Sequence, residues 1–495
     1  MNAFTALLAF VAFVVATTAS GQKIKAITDE AAADRITTLP GYTGSTSPGF
    51  SGYLHINGSA SGTTSKHMHY WLVESLSEDA MALDSVSFWT NGGPGCSGLL
   101  GALTELGPFR PTADGKLVDN PYSWTKYSNF VFIEQPCGVG YSYSDDPDND
   151  YKTDDATSSN DFYATIQAFL VRFPQFSKSK VFLTSESYGG HYTATTAKVI
   201  VDKNTEGKNP QINFGGFAVG NPAITSESTT PSMIQTWWGH QLLSQPLWEN
   251  YLSTCVESKT PNVQECEDLF LDMYMKTKSL NPYALDYPVC LADPSPFVAG
   301  RYGRMQRLAL LRNQLQHLSP KTKAAMLLDD EYVPCEDDYM TTWLNSDNVK
   351  TALHVKSDLE WVECSRSIHY NQLDGTKSMV PYYQYLLDGN DKYNIDILVY
   401  SGDDDSVCGT VGTQGWIYSV GGEAKTGADW ATWTVPKDAG NSEAGQTGGY
   451  LVRFKNKRFA FATVHGAGHE VPTYKPAAAL HLFKSYISGA WTKNN

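Results

Sequence analysis

The run Phe182-Leu183-Thr184-Ser185-Glu186-Ser187-Tyr188-Gly189-Gly190-His191 constrains the fold more than any other stretch of the chain. An apolar segment of strand character stops at Ser187, a glycine pair follows, and residues 193–198 are compatible with a helix. This layout presents a serine at the head of a helix, where the dipole and free amides favour negative charge. A nucleophile elbow ordinarily reads Gly-x-Ser-x-Gly. Here Ser185 takes the place of the first glycine. Serine is small enough for the turn, yet the stretch alone reads equally well as an ordinary strand–turn–helix, so the other segments must decide.

Those segments alternate. Strand-like runs cover residues 53–56, 69–73, 86–89, 130–133, 180–184, 216–219, 397–400 and 458–464. Residues 58–65 read as the loop of a hairpin. Residues 159–173 carry a helical stripe of Phe162, Ile166, Phe169 and Leu170, and residues 475–487 read as a closing helix. Alternation of this kind predicts an α/β sheet. Residues 223–345 interrupt it with helical patterns, irregular stretches and four cysteines, and are expected to form an inserted, mainly helical subdomain. Its arginines, Arg301, Arg304, Arg307 and Arg312, read as a solvated helix face. The expected organisation is therefore a core built from 22–222 and 346–495, split by the 223–345 insertion.

The N-terminus sets the compartment. Residues 4–15 are almost wholly apolar and lead into Ala16-Thr17-Thr18-Ala19-Ser20-Gly21, the pattern of a secretory signal peptide over residues 1–21. No later apolar run is long enough to span a bilayer. The expectation is a secretory-pathway protein, extracellular or vacuolar/lysosomal, with no membrane attachment after signal removal. Lys and Arg total 37 against 52 Asp and Glu, and the resulting −15 argues against nucleic acid as a partner. None of the eight cysteines lies in a Cys-x-x-Cys pair, so disulfides are expected, with connectivity left open by spacing. Asn57-Gly58-Ser59 is a glycosylation sequon. No metal site is read: His67 and His69 share a strand face without a third ligand, and Asp145 to Asp150 lacks the glycine of a calcium loop and reads as a solvated turn.

Ser187, the Asp403-Asp404-Asp405 cluster and His469 each follow a strand-like run, in the order serine, aspartate, histidine. That is the order of an α/β-hydrolase, where histidine activates the serine and a carboxylate orients the histidine. The expected fold is accordingly α/β-hydrolase: a central mixed, mostly parallel sheet flanked by helices. At this point nothing separates Asp403, Asp404 and Asp405.

Ordered motifs along nearly the whole mature chain add a resemblance. They are Trp89-Thr90-Asn91-Gly92-Gly93-Pro94-Gly95-Cys96-Ser97-Gly98, Glu105-Leu106-Gly107-Pro108, Gln135-Pro136-Cys137-Gly138-Val139-Gly140-Tyr141-Ser142-Tyr143, Glu186-Ser187-Tyr188-Gly189-Gly190-His191-Tyr192, Gly220-Asn221-Pro222, Tyr400-Ser401-Gly402-Asp403-Asp404-Asp405 and Gly466-Ala467-Gly468-His469-Glu470-Val471-Pro472. With them the chain resembles the serine carboxypeptidase family. The resemblance implies Ser187 as nucleophile, His469 as base and Asp405 as its partner, with Asp403 and Asp404 as alternatives. It implies an oxyanion hole from the backbone N–H groups of Gly93 and Tyr188. It also implies that Asn91, Glu105 and Glu186, helped by the Gly92 N–H, hold the terminal carboxylate of a peptide. Two close carboxyl groups cannot both ionise cheaply, so one stays protonated and donates to the substrate, which predicts an acidic optimum.

The same resemblance implies disulfides Cys96–Cys364, Cys255–Cys266 and Cys290–Cys335. It puts Cys408 and Glu470 at the leaving-group pocket, with sensitivity to thiol reagents and room for a basic leaving residue. Cys137 is expected to be a small buried residue, and Trp237-Trp238 either a pocket wall or core. The implied activity is release of C-terminal residues from peptides and proteins through an acyl-enzyme, without cofactor, by a monomer or homodimer. Acyl transfer on the same scaffold is the alternative that Asn91, Glu105 and Glu186 oppose. A catalytically silent binding or protective protein is the one that the intact Ser187, Asp405 and His469 oppose.

Overall fold

In the computed structural model the described residues are 27–59, 63–77, 83–224, 226–290, 335–371 and 373–492. The expected signal peptide and Arg301, Arg304, Arg307 and Arg312 lie outside them.

The strands of the central sheet are β1 (Phe50–Asn57), β2 (Thr64–Val73), β3 (Ser85–Thr90), β4 (Asn129–Ile133), β5 (Lys180–Glu186), β6 (Phe214–Gly220), β7 (Asp396–Gly402), β8 (Ala431–Thr434), β9 (Thr447–Arg453) and β10 (Phe459–Val464). Their order across the sheet is β1-β2-β4-β3-β5-β6-β7-β10-β9-β8, and the short strand Tyr143–Ser144 adds to β2. From β4 to β10 every neighbouring pair is parallel; both flanks are antiparallel. This is the α/β-hydrolase fold. β3, β4, β7 and β10 are buried along their whole length, as strands covered on both faces must be.

Side chains alternate between two cores. Phe182, Leu398 and Ala460 point to one face, and Val181, Leu183, Val219, Val399 and Phe461 to the other. The main helices are α1 (Leu99–Thr104), α2 (Asp155–Arg172), α3 (Gly189–Glu206), α4 (Ser226–Gly239), α5 (Val263–Thr277), α6 (Glu336–Leu344), α7 (Val380–Asp388), α8 (Thr410–Gly421) and α9 (Pro476–Ile487). The first core takes Leu482, Phe483 and Tyr486 from α9, and the second takes Phe162, Ile166 and Phe169 from α2 and Ala194, Ala197 and Ile200 from α3. Each large apolar side chain buried this way contributes roughly 1.5–3 kcal/mol. α2 begins four residues before the expected 159 because the Asp154 carboxylate accepts from the Thr157 amide, and it stops before Pro174. α3 outruns the expected 193–198 in both directions and ends on Gly207 at φ 66°, a left-handed cap that glycine adopts without strain.

Between β6 and β7, α4, α5 and the helix Gln245–Tyr251 share a separate apolar cluster of Ile234, Trp237, Leu243, Tyr251, Met273 and Leu285. Trp237 packs inside it, and Trp238 stacks on Trp248 with centroids 5.4 Å apart. The three disulfides Cys96–Cys364, Cys255–Cys266 and Cys290–Cys335 are formed. Cys137 is buried and its thiol donates to the Tyr143 carbonyl. One expectation is corrected. Asp145 to Asp150 is not uniformly a solvated turn, because Asp150 is buried and accepts from the Ser59 amide and the Ser65 and Ser144 hydroxyls. Asn57 is exposed at the end of β1.

Candidate active site

The parallel strands bring their C-terminal ends to one edge. Thr90 pairs with Ser185, Gly220 with Glu186 and with Tyr400, and Gly402 with Val464. The residues that follow these ends, Asn91, Ser187, Asn221, Asp403 to Asp405 and the turn before His469, are therefore neighbours. Such an edge is where open α/β sheets place their ligands.

Ser187 sits between β5 and α3 at φ 61°. The turn is held by its amide, which donates to Gly220, and by its carbonyl, which accepts from Gly190 and Ala223. Ser185, the departure from the usual elbow pattern, fits because the hydroxyl donates to the Thr90 carbonyl at 2.5 Å. Gly189 makes the room: a Cβ there would lie 1.9 Å from the Ser185 Oγ.

His469 Nδ1 lies 2.6 Å from Oδ2 of Asp405. That same carboxylate accepts from the Asn221 amide group at 2.9 Å and from the backbone of Val407 and Cys408. The neighbouring aspartates face elsewhere. Asp403 pairs with His465 at 2.8 Å, and Asp404 is buried and accepts from the Asp286 amide. Burial pushes the Asp404 carboxyl up to about 7; the Asp286 amide opposes this and the Asp286, Asp403 and Asp405 charges add to it. His469 is further fixed by its amide, which donates to the Tyr283 carbonyl, while the Tyr283 ring packs edge-on against the imidazole.

Ser187, His469, Asn91, Gly92, Gly93 and Glu186 line one cleft of about 290 Å³, together with Tyr283, Glu363 and Glu470. A serine, an imidazole and a carboxylate so arranged can carry nucleophilic acyl chemistry. The Gly92 backbone runs so close to the elbow that a Cβ on it would meet the Tyr188 amide nitrogen at 2.5 Å. Gly93, at φ 112°, turns the loop back on itself. The Gly92-Gly93 loop thus packs against the elbow and lines the cleft beside Ser187. Tyr188 is anchored from behind: its hydroxyl donates to Asp155, its ring stacks on His191, and His191 and Tyr370 also bond Asp155. Burial pushes Asp155 up, but these hydrogen bonds outweigh it and hold the carboxyl below its ordinary value.

Asn91 gathers two carboxyl groups. Its Nδ2 donates to Glu105 Oε1 and to Glu186 Oε1, both at 2.9 Å. Its Oδ1 accepts from the Trp89 indole and the Gly101 amide, so the amide cannot flip without losing both. Glu105 and Glu186 are 1% and 4% exposed, so both carboxyl groups of the cluster are shut off from bulk water. Cys408 packs against the Asp405–His469 pair. Burial pushes its thiol well above the ordinary value, with the Asp405 and Glu186 charges adding. Sequence reasoning missed Asn221 as the clamp on Asp405. Its signal was the Gly220-Asn221-Pro222 turn at a strand end; Asn221 is left-handed at φ 38°.

The family model for serine carboxypeptidase matches residues 40–489. Serine carboxypeptidase-like 25 of Arabidopsis thaliana is 33% identical over 468 residues, covering 93% of this chain and 92% of its own. Serine carboxypeptidase-like 26 of the same plant is 32% identical over 467 residues, with 92% of each covered. Among solved structures the fold is similar to Kex1(delta)p, a prohormone-processing carboxypeptidase from Saccharomyces cerevisiae, with a TM-score of 0.63 and 20% identity over 89% of this chain and 91% of that one. On the family match and the plant relatives, the chain belongs to the serine carboxypeptidase family.

Proposed function

We propose that the protein is a serine-type carboxypeptidase that releases C-terminal residues from peptides and proteins. Ser187 attacks the last peptide carbonyl, His469 takes its proton and returns it to the leaving amine, and Asp405 holds the imidazole. The Gly93 and Tyr188 amides receive the oxyanion. Water then repeats the sequence on the acyl-enzyme.

The observation that carries this reading is the Asn91–Glu105–Glu186 cluster, buried directly beside Ser187. Two carboxyl groups on one amide, shut off from water, cannot both be ionised cheaply. A proton kept by the pair becomes a donor to the substrate's terminal carboxylate. Substrate affinity then weakens as pH rises and the pair loses that proton, so KM climbs toward neutral pH while kcat follows His469. An acyltransferase acting on donors without a free terminal carboxylate has no use for such a pair.

The test is hydrolysis of an N-blocked dipeptide against its C-terminal amide across acid to neutral pH. The expected outcome is preference for the free acid at low pH, lost as pH rises, and no turnover by Ser187→Ala. Equal rates on acid and amide at every pH would overturn the reading. Secretion, with glycosylation at the exposed Asn57, and a vacuolar or extracellular destination belong to the same proposal.

A further inference from the structure

Beside the cleft, three side chains from distant parts of the chain converge. His240 follows α4, Asp286 lies 46 positions further on, and Asp404 follows β7. His240 Nδ1 is 3.7 Å from Asp404 Oδ1 and 3.8 Å from Asp286 Oδ1, and one ligand atom from each residue lies within 4.8 Å of the others. These separations are too long for hydrogen bonds.

Asp404 supplies an independent pointer. The residue is 2% exposed, its Oδ2 accepts from the Asp286 amide at 3.0 Å, and its Oδ1 has no hydrogen-bond partner. A buried carboxylate oxygen left without a donor is costly. This one is aimed at the imidazole across a gap of 3.7 Å. The opposite side is open, since the Asp286 side chain is 78% exposed and that of His240 26%.

The two separations from the imidazole, 3.7 and 3.8 Å, also lie near those of ligands that share an ion. Ligands at about 2.1 Å from a tetrahedral ion stand about 3.4 Å apart. We propose that His240, Asp286 and Asp404 form a binding site for a divalent late-transition ion of the zinc class, with water in the remaining position. A mixed imidazole and carboxylate set selects against magnesium and calcium, which take oxygen ligands. Two carboxylates and one neutral imidazole also balance the charge of such an ion.

The site would fasten the segment that carries the catalytic histidine. The Leu285 amide donates to the Asp404 carbonyl, the Asp404 amide to Ala467, the Ser406 amide to Pro282, and the His469 amide to Tyr283. Residues 282–286 thus already bridge the Asp404 turn and His469, and a bound ion adds a second fastening. None of the three ligands touches the reacting atoms, so the expected readouts are metal binding and thermal stability.

A competing cluster exists at Asp405, Cys408 and His469, within the active site itself. The experiment separates the two. The metal-stripped full chain is titrated with Co²⁺, followed by visible absorption, and then with Zn²⁺ as competitor. The expected result is one Co²⁺ per chain with d–d bands, no thiolate charge-transfer band, and displacement by Zn²⁺. His240→Ala and Asp286→Ala should each weaken binding by about tenfold or more. Zn²⁺ should raise Tm in the parent and leave His240→Ala unmoved. Absence of Co²⁺ binding, binding unchanged in both variants, or a thiolate band placing the ion at Cys408 would each overturn the proposal. Should His240→Ala fail to fold, the exposed Asp286→Ala carries the same comparison.

Discussion

Ser187 holds a backbone conformation that non-glycine residues avoid, at φ 61°. Such strain costs on the order of 1–3 kcal/mol and persists because three backbone hydrogen bonds to Gly220, Gly190 and Ala223 determine the turn. The Gly220 strand end has a second duty. Asn221, one residue on, donates to Asp405 Oδ2 and Gly402 and accepts from the Gly402 amide. It therefore sets the height of the carboxylate that meets His469. Asn221→Gly removes this clamp while tolerating the left-handed φ, so the backbone is spared. Losing a hydrogen bond to a charged group costs roughly 1.5–3 kcal/mol, which is about a 10- to 100-fold fall in kcat/KM. The fall should be in kcat more than KM, because Asn221 does not reach the Asn91 cluster. Steady-state kinetics on the blocked dipeptide decide it, and a variant within twofold of the parent in kcat would remove Asn221 from the catalytic support. The contrast with Asp405 shows where sequence stops. Three consecutive aspartates are equivalent as letters. The family resemblance favours Asp405, and the fold supplies the reason, because turn geometry sends Asp403 to His465, Asp404 to the Asp286 amide and Asp405 to His469.

At the scale of elements, the parallel strands and the α2 and α3 helices were readable because burial on both faces leaves long apolar runs and one-sided helical stripes. The hairpin β8–β9 was not. Its β9 carries Gly448 and Gly449, and a Cβ at Gly449 would meet the Thr463 carbonyl at 2.0 Å. Close backbone approach thus demands residues that spoil the strand pattern. The glycine-rich loop after β3 is fixed differently, by Cys96–Cys364, which joins positions 268 apart. Cys255–Cys266 closes a separation of only 11. Chain entropy ranks them: on the order of 5 kcal/mol for the long closure and about 3 kcal/mol for the short one. Replacing both cysteines of the long pair by serine should lower the urea midpoint more. It should also lower kcat, since Cys96 lies three residues past Gly93. Removing the short pair should leave kcat nearly unchanged, because its effect is confined to the α5 region. Equal kcat losses in the two double variants would show that the loop after β3 does not depend on its disulfide.

For the whole molecule, the carboxyl groups are the dominant charge, 52 against 37 basic residues. Several are buried near the site. Glu336 begins α6, 8% exposed, with Arg110 at 3.8 Å. Burial pushes its carboxyl up to about 8, with Arg110 opposing and the Asp337 and Glu105 charges adding. The N-terminal end of α6 favours the charged form, but desolvation outweighs it. The sign for stability follows from proton counting. Between the ordinary value near 4.5 and the folded value near 8, the folded chain binds a proton that the unfolded chain has released. Stability from this group is therefore fully present below about pH 4.5, declines as pH rises through that window, and is lost above about 8. Glu336 also interacts with Glu105, so keeping it neutral spares the Asn91 cluster a further negative charge. Acidic solution thus favours the protonated form of Glu336 that its buried place beside Glu105 accommodates. Glu336→Gln keeps the shape and removes the titration. Thermal melts from pH 4 to 8 should show Tm falling for the parent and a flatter profile for the variant, with the two closest at the acidic end. A variant whose Tm falls as steeply as the parent's would assign the pH dependence to other groups and leave Glu336 ionised in the fold.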